Sequence, residues 1–571
     1  MKRYILRIAV LATAILSIGC KGAKKASGSS TYYLGSTGES TVNIYTIDDG
    51  GSPHCSGSLV RGTAVSGNKS EGITCGDTRY IPINTGSTSG YVPESALVPT
   101  RTDAVAERTM YVRTPASIIS DCETSRICGL ADKGDALEIL GYDSLCPDGR
   151  VLRYKVRNRG CEGYVYGKYL VNSRDKALER YDAGRNDPLH GAVKNPFGGG
   201  EAAGCDFYPV ERPQIEGNTM PESCYTLYLT SSPAVLNNIE NYIALAKRTK
   251  INAFVITLKD NENPGFKAEA MRLYSPTNYN RADGGNAARI ERAVKRLHEE
   301  GFYTIARITC FKDSYYVADH LDTAITEIAT GQPFKYNKAF WPSAYDRNVW
   351  QFNIELAKEA VRRFGFNEIN LDYVRFPELP GRYDKLIDYH NTYNESKVQA
   401  IQRFVTYACD EIHAAGAYVS IDVFGESANQ GYTTSYGQYW PALSNVTDVI
   451  CGMPYPDHFS DGYYGISKPW NHPYELLNAW GRHVQNRQSE TTTPAKVRTW
   501  IQAYDVMRYV DRNGIAYNAE NVEKEIRALY DAGLTGGYIT WMSSASIAKY
   551  EQQEAAFKID YHAEYKRRSG R

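Results

Sequence analysis

Two carboxylates in this sequence lie inside segments that are otherwise apolar. Asp372 occurs in the run Ile369–Pro377, and Asp422 occurs in the run Val419–Glu426. Because side chains alternate along a strand, both acids would face the side opposite to their apolar neighbours. A charged carboxylate in such a strand is costly unless it is paired or belongs to a solvated site. Glycoside hydrolysis requires two such groups, one as acid and one as nucleophile or base.

The segments that carry these acids belong to a regular alternation along the chain between Asn252 and Ser544. Apolar runs of strand length are separated by stretches of helical period, which predicts parallel strands with crossover helices. Eight such units close into an α/β fold, the (β/α)8 TIM barrel, whose chemistry lies at the carboxyl ends of the strands. Asn370 and Ser420 share the inward parity of the two acids. The predicted strands are Tyr225–Thr230, Ala253–Asp260, Tyr303–Phe311, Glu368–Phe376, Tyr418–Gly425, Asp448–Tyr455, Val497–Tyr504 and Gly537–Ser543.

Several segments of the C-terminal two thirds of the chain resemble one bacterial family. The strings Leu371–Pro377 and Met453–Phe459 are the most specific part of the resemblance. The family is a (β/α)8-barrel family of glycosyl hydrolases, distantly similar to the α-amylase-like clan. The resemblance implies hydrolysis of O-glycosyl bonds in a carbohydrate substrate, and the clan weakly favours retention of configuration. The other matching segments are Asn252–Asp260, Ala306–Asp313, Glu368–Pro377 and Asp422–Gly425.

The acids at the predicted rim receive different roles. Asp372 is predicted to act as nucleophile or base, because the charge of Arg375 nearby would keep it ionised. Asp422 is the predicted general acid, and Glu426, just past the strand end, is the alternative. A structural alternative stays open, in which the rim carboxylates form ion pairs with Arg307 or Arg375 that only rigidify the barrel. Further rim carboxylates are Asp260, Glu262, Asp457 and Asp505.

Polar and aromatic residues at the ends of the other strands are predicted to bind the sugar. Lys259 and Arg307 share the inward parity, so they would position hydroxyl groups or balance the carboxylates. Aromatic rings at the rim can stack on sugar rings, although a single one is more often packed at the rim. Asp313 and His320 have metal-binding chemistry, but no metal or cofactor is predicted. The predicted substrate-binding residues are Lys259, Arg307, Arg375, Tyr455, His458, Gln502, Tyr504 and Trp541.

The overall charge of the chain gives no indication of a nucleic-acid partner. The 571 residues include 65 basic and 65 acidic side chains, so the formal net charge is zero, and electrostatic membrane binding is not indicated either. Aromatic residues make up 12% of the chain, with 45 tyrosines, a composition that suits sugar recognition or a β-rich extracellular protein.

The N-terminus has the pattern of a bacterial export signal. Lys2, Arg3 and Arg7 precede the apolar stretch Ile8–Ile18, and the run Leu16–Cys20 resembles a lipoprotein box. Residues 1–20 are therefore predicted to be a signal peptide. Lipidation of Cys20 would anchor the protein to the membrane of the cell envelope, with residues 21–40 as a flexible tether. Plain secretion, with Cys20 removed or free, remains the alternative.

Export determines how the cysteines are interpreted. Eleven cysteines follow Cys20, and in an oxidising compartment they indicate disulfides rather than metal ligands. Cys55 is predicted to pair with Cys75, and Cys205 with Cys224. Two further bridges are predicted among Cys122, Cys128, Cys146 and Cys161.

Two stretches ahead of the barrel repeat one plan. Residues 41–99 and 108–172 consist of short β runs broken by turn residues, and they end on the similar phrases Gly90–Val98 and Gly163–Val171. Both resemble bacterial SH3-like domains, which are small all-β barrels. The resemblance implies a cell-wall peptide or glycan as ligand, and spacers without a ligand are the alternative. Residues 173–222 are predicted to form a linker, and residues 223–560 the barrel domain.

The sequence therefore predicts a multidomain protein with two SH3-like barrels and a (β/α)8 barrel. Its predicted function is that of an envelope lipoprotein that hydrolyses glycosidic bonds through paired carboxylates. A different class is also compatible with the pattern, namely a non-catalytic glycan-binding surface protein on the same scaffold. Truncation of Asp372 would separate the two, because a binding protein would keep its affinity and an enzyme would lose turnover.

Overall fold

The computed structural model describes residues 29–121, 124, 126–179, 202, 204–429 and 434–570. Cys20, the predicted export signal and Cys122 lie outside the described residues. The chain forms two compact units, one with the residues up to Glu107 together with Tyr142–Leu152, the other with Arg108–Gly141 and the chain from Arg153 onwards. Among the described residues, no helix has the length and apolar character needed to cross a bilayer.

The first unit contains an antiparallel sheet, here called the first β module. Its core includes Leu34, Val65 and Val92, which are almost completely buried. The strand Ser30–Leu34 lies within residues 21–40, which the sequence predicted to be a flexible tether. It belongs to the module instead, because it pairs with two later strands and buries Leu34. The strands of the first β module are Ser30–Leu34, Thr41–Ile47, Pro53–Val60, Ala64–Gly67, Ile73–Cys75, Thr78–Asn84, Ser89–Pro93 and Leu97–Val98.

A second antiparallel sheet, the second β module, packs on the barrel within the second unit. The hydroxyl of Tyr169 donates to the carboxylate of Asp410 at 2.9 and 2.8 Å, and Nζ of Lys168 lies 2.6 Å from the same carboxylate. Asp410 belongs to the barrel helix Lys397–Ala415. The strands of the second β module are Thr109–Val112, Ala116–Ile119, Ile127–Ala131, Ala136–Tyr142, Arg153–Asn158, Cys161–Tyr166 and Leu170–Val171.

One disulfide is present among the described residues, between Cys128 and Cys161. It joins the strands Ile127–Ala131 and Cys161–Tyr166 of the second β module. Both cysteines belong to the set in which two bridges were predicted. Cys146 of that set is a partly buried thiol.

The two other predicted disulfides are absent from the structure. Cys55 and Cys75 lie on strands separated by three others in the sheet order, whereas a disulfide needs Cα atoms about 4.4–6.8 Å apart. Cys224 is fully buried in the first barrel strand, where its Sγ lies 3.3 Å from Oγ1 of Thr226. It is not bonded to Cys205, so the predicted clip at the barrel entrance is wrong.

The C-terminal part is a parallel barrel surrounded by helices, as the alternation predicts. Its strands pair in order around the barrel, and the seventh is divided at Arg498. The segment before Arg498 pairs with β6 and the segment after it pairs with β8. The strands are β1 (Cys224–Thr230), β2 (Ala253–Asp260), β3 (Tyr303–Thr309), β4 (Glu368–Asp372), β5 (Tyr418–Phe424), β6 (Val449–Met453), β7 (Lys496–Val497 and Thr499–Gln502) and β8 (Gly537–Trp541).

Helices with clear start and stop signals cover the outside of the barrel. The helix Arg347–Phe364 begins after Asp346, whose side chain accepts a hydrogen bond from the N–H of Asn348, and ends at Gly365 with a φ of 78°. The other helices in this unit are Arg174–Leu178, Pro233–Leu236, Ile239–Lys247, Glu269–Tyr274, Pro276–Arg281, Asn286–Glu299, Ser314–Asp319, Lys397–Ala415, Trp440–Ser444, Pro473–Ser489, Ala519–Asp531, Ile547–Gln552, Glu554–Phe557 and Tyr561–Ser569.

A fully buried ion pair occupies the amino-terminal end of the barrel interior. Nη1 of Arg498 lies 2.7 Å from Oε1 of Glu368, and the hydroxyl of Tyr303 donates to Oε2 of Glu368 at 3.0 Å. Both charged side chains are completely inaccessible to solvent. The pair connects β4 with β7 at the point where β7 changes its pairing partner.

We expect Arg498→Met to lower the free energy of unfolding by about 3–5 kcal/mol, because it leaves the buried carboxylate of Glu368 without its cation. The double variant Arg498→Met, Glu368→Met removes both charges and should recover most of that loss. Denaturant unfolding followed by tryptophan fluorescence measures both. A single variant that unfolds with wild-type stability would contradict the assigned role of the pair.

Candidate active site

The carboxylate of Asp372, the last residue of β4, is paired with Arg307 of β3. Nη2 of Arg307 contacts Oδ2 of Asp372, and the N–H of Tyr373 donates to Oδ1 at 2.6 Å. The sequence assigned this balancing role to Arg375, which instead forms an ion pair with Glu378. The sequence indicated Arg375 only through its closeness along the chain, and the left-handed φ of 51° at Tyr373 ends the regular strand between the two residues.

The parallel register of β4 and β5 runs to Leu371 and Ile421, and Asp372 and Asp422 are the next residues of the two strands. Oδ1 of Asp422 accepts hydrogen bonds from Nδ2 of Asn370 at 2.8 Å and from Nε1 of Trp500 at 2.6 Å, and its Oδ2 is buried without a partner. Burial and the neighbouring charge of Asp372 raise the pKa of Asp422 well above its ordinary value. The environment of Asp422 therefore favours its protonated form, beside the carboxylate that is paired with Arg307.

An aromatic cluster lies beside these acids. The rings of Tyr228 and Trp541 have centroids 4.7 Å apart, and those of Trp500 and Trp541 are 5.7 Å apart. The guanidinium of Arg307 lies 5.4 Å from the ring of Trp541. Trp541 is partly exposed, so its ring can contact a bound sugar, whereas Tyr228 and Trp500 are buried beneath it.

A bulge in β2 reverses the predicted orientation of Lys259. The register with β3 shifts after Thr257, so Lys259 points away from the barrel interior. Its Nζ lies 2.7 Å from Oδ2 of Asp313 and is completely buried. Asp260 takes the inward position, with its Oδ2 3.6 Å from Nη1 of Arg307. The prediction that Lys259 binds substrate is therefore wrong, and the bulge had no signal in the sequence.

The two residues with metal-binding chemistry have other partners. Asp313 pairs with Lys259 and caps the helix Ser314–Asp319. Nε2 of His320 lies 2.6 Å from the carbonyl oxygen of Tyr274. Across the described parts of the chain, no three His, Cys, Asp or Glu side chains form a group that could hold a metal ion.

Arg375 and Glu426 lie beyond the ends of β4 and β5. The guanidinium of Arg375 lies 4.3 Å from the ring of Phe424, in addition to its ion pair with Glu378. Glu426 is partly exposed, and its Oε1 accepts a hydrogen bond from the hydroxyl of Tyr436 at 2.5 Å. Glu426 is the more accessible of the two candidate acids.

Asp457 forms hydrogen bonds with several of the predicted binding residues after β6 and β7. Its buried Oδ1 accepts a hydrogen bond from the hydroxyl of Tyr504 at 2.7 Å and lies 2.8 Å from Nδ1 of His458. Gln502 is fully buried, and its Oε1 accepts from the N–H of Asp457 at 3.3 Å. Tyr455 is also buried, and burial together with the nearby Asp422 raises the pKa of its phenol. His458 is half exposed and Tyr504 is partly exposed, so these two members of the group are the ones that a ligand can reach.

Two residues at the site were missed by the sequence analysis. Trp500 shares the strand parity of Gln502, and Tyr228 lies in the predicted first strand, so extending the parity argument to those two strands would have found both. Buried aromatic residues in a barrel strand otherwise look like ordinary core residues.

The comparison with solved structures finds chains of low similarity. The glycoside hydrolase domain of PgaB (BpsB) from Bordetella bronchiseptica is 13% identical over 59% of this chain and 99% of that chain, with a TM-score of 0.43. A class V chitinase from Pseudomonas fluorescens Pf-5 is 13% identical over 59% and 98%, with a TM-score of 0.37. A hypothetical protein from Ruminiclostridium thermocellum ATCC 27405 is 29% identical over 34% and 97%, with a TM-score of 0.29.

No curated protein matches the chain. A family model matches residues 226–547, which is more than half of the 571 residues and extends from β1 to the helix after β8. The matched region contains Arg307, Asp372 and Asp422 together with the aromatic cluster beside them. The chain therefore belongs to the family described as "Putative glycosyl hydrolase domain".

Proposed function

We propose that the barrel hydrolyses O-glycosyl bonds of a poly- or oligosaccharide, with Asp422 as general acid and Asp372 as nucleophile. The observation that carries the proposal is the difference between two adjacent carboxyl groups. One is paired with Arg307, and the other is buried with a raised pKa. A carboxyl group whose environment favours its protonated form, next to one that is paired with a cation, is the combination that acid catalysis at a glycosidic oxygen requires.

In the first step, the proton of Asp422 passes to the glycosidic oxygen while that oxygen leaves the anomeric carbon. The carboxylate of Asp372 attacks the same carbon and forms a glycosyl ester. In the second step, Asp422 takes a proton from water, and the water oxygen displaces Asp372 from the anomeric carbon. The register of β4 and β5 favours retention, because adjacent strands about 4.8 Å apart suit the roughly 5–5.5 Å carboxyl separation of retaining enzymes.

A second candidate function is a glycan-binding surface protein without catalysis. It is favoured by one observation, the burial of the proposed acid, since only 1% of Asp422 is exposed. In that case the ion pair of Asp372 with Arg307 would stabilise the barrel, and the partly exposed Trp541 would still stack on a sugar.

The remaining parts of the chain are proposed to place this barrel at the cell envelope. Lipidation of Cys20 would anchor it, and both β modules would be SH3-like domains. The phrase Gly163–Val171 of the second β module contains Tyr169, which contacts the barrel. We therefore assign a cell-wall peptide or glycan ligand to the first β module, which has a groove of about 490 Å³ beside Tyr45 and Ser95.

We expect Asp372→Asn and Asp422→Asn each to reduce glycan hydrolysis by at least about 100-fold, the lower end of the effect of removing a catalytic acid or base. Sugar binding should change little, because ground-state contacts remain. Release of oligosaccharides from envelope glycans, followed by mass spectrometry, measures turnover, and calorimetry measures binding. The matched control is Glu426→Gln. If that variant is inactive while Asp422→Asn is active, the acid is Glu426, and an active Asp372→Asn would remove the proposed site altogether.

The pH dependence of stability should report the protonated state of Asp422. Its folded pKa is raised, so its contribution is fully present below the ordinary pKa of 3.8 and is lost as pH rises through the raised pKa. Relative to Asp422→Asn, the wild type should lose up to about 1.4 kcal/mol per pH unit in that interval. Unfolding of both proteins from pH 4 to 9 tests this. A constant difference would show that Asp422 is already ionised.

We expect Cys20→Ser to move the protein from the membrane fraction to the soluble fraction of the cells that export it. Loss of the acceptor thiol removes the lipid chains, which supply the membrane affinity. Fractionation together with labelling by a fatty acid analogue measures both effects. Membrane association and labelling equal to wild type would contradict lipid anchoring at Cys20.

A further inference from the structure

Lys312 lies at the rim of the barrel, immediately after the last backbone contact between β3 and β4. The N–H of Phe311 donates to the carbonyl oxygen of Tyr373 at 3.2 Å, so Lys312 is the next residue beyond the paired strands. Its Nζ lies 3.5 Å from the hydroxyl of Tyr373 and 4.8 Å from the centre of that ring. The side chain is half-buried.

The charge of Lys312 lacks a direct counter-ion. Among the residues that the structure describes, no carboxylate oxygen comes within ion-pair distance of its Nζ, although Asp260, Glu378 and Asp372 act on it from farther away. Burial and the charge of Arg375 lower the pKa of Lys312. A half-buried ammonium without a counter-ion is costly, and the cost falls when an anion binds to it.

Arg375 places a second cation against the same aromatic ring. Its guanidinium lies 4.9 Å from the ring of Tyr373, and its own charge is balanced by Glu378. The two cations repel each other, so an anion bound at Lys312 would also be stabilised by the charge of Arg375. The hydroxyl of Tyr373 can donate a hydrogen bond to such an anion, because burial and Asp372 raise the pKa of Tyr373 to about 12.

The backbone brings this group of residues next to the proposed nucleophile. Tyr373 follows Asp372 directly and has a left-handed φ of 51°. A non-glycine residue in that conformation is strained, and such residues cluster at functional sites. The turn orients the Tyr373 ring so that Lys312 and Arg375 both contact it. An anionic group bound there would be a substituent of the reacting sugar or of the sugar next to it.

We propose that Lys312, with the hydroxyl of Tyr373 and the guanidinium of Arg375, binds a negatively charged substituent of the sugar held at Asp372. The substrate is therefore an acidic glycan, one with a carboxylate or sulfate group on the sugar near the scissile bond. This inference rests on the proposed glycosidase function for the position of the reacting sugar. The binding of an acidic glycan at Lys312 does not itself require turnover.

The test uses pairs of glycans that differ only in charge. Uronic-acid polymers are compared with their carboxyl-reduced counterparts, and sulfated glycans with their desulfated counterparts, on the full-length protein. Binding is measured by calorimetry and hydrolysis by release of oligosaccharides. The wild type should bind the acidic member of at least one pair about tenfold more tightly than the neutral member. The pair that shows this preference identifies carboxylate or sulfate as the recognised group.

Three variants test whether Lys312 causes the preference for the acidic glycan. Lys312→Gln should abolish it while leaving binding and hydrolysis of the neutral member within about twofold of wild type. Lys312→Arg, which keeps the charge, should retain most of it. Lys335→Gln is the matched control, because Lys335 lies over the ring of Phe340 at 5.4 Å but is an exposed lysine on a separate two-stranded sheet. It should behave like wild type.

The outcomes separate the subsite from the catalytic proposal. Preferential binding of an acidic glycan that depends on Lys312, without hydrolysis of any glycan, would support the subsite and overturn the glycosidase function. Hydrolysis with equal use of acidic and neutral glycans, or with no effect of Lys312→Gln, would overturn the subsite alone. Absence of binding to every acidic glycan would also overturn it.

Discussion

The contact between Arg307 and Asp372 is the interaction on which the rest of the candidate site depends. Two neighbouring carboxyl groups inside a barrel each raise the cost of ionising the other. Arg307 pairs with Asp372, whereas burial and the charge of Asp372 raise the pKa of Asp422. Asp260 lies on the other side of Arg307, so the cation also ties β2 to β4. The buried guanidinium of Arg307 thus acts on carboxyl groups of three strands, β2, β4 and β5.

The sequence could predict the barrel and the two acids because both follow from local periodicity. Asn370, Asp372 and Asp422 occupy the inward positions that alternation assigns to them. The alternation fails where the backbone leaves the regular strand. The bulge in β2 turns Lys259 outward, and the left-handed residue Tyr373 ends the regular strand, so that Arg375 pairs with Glu378 although it is close to Asp372 along the chain. Neither event leaves a composition signal, so partners beyond a strand end could not be predicted.

The disulfides show a different limit of sequence reasoning. Proximity along the chain favoured pairing Cys55 with Cys75, but in an antiparallel sheet the neighbours are set by strand order and not by sequence distance. The bridge that forms, between Cys128 and Cys161, connects residues 33 positions apart. Strand order in a small β module depends on how its few core residues pack, which single-sequence patterns do not reveal.

Because the second β module packs on the barrel, a fragment that keeps all the contacts of the barrel has to begin ahead of the family-matched region. Tyr169 and Lys168 contact Asp410 on the helix that connects β4, which carries Asp372, to β5, which carries Asp422. A fragment cut at the start of the family-matched region would uncover Asp410 and remove a support of that connecting helix. The second β module and the barrel thus form one compact unit, and a domain boundary drawn from family similarity alone divides a continuous core.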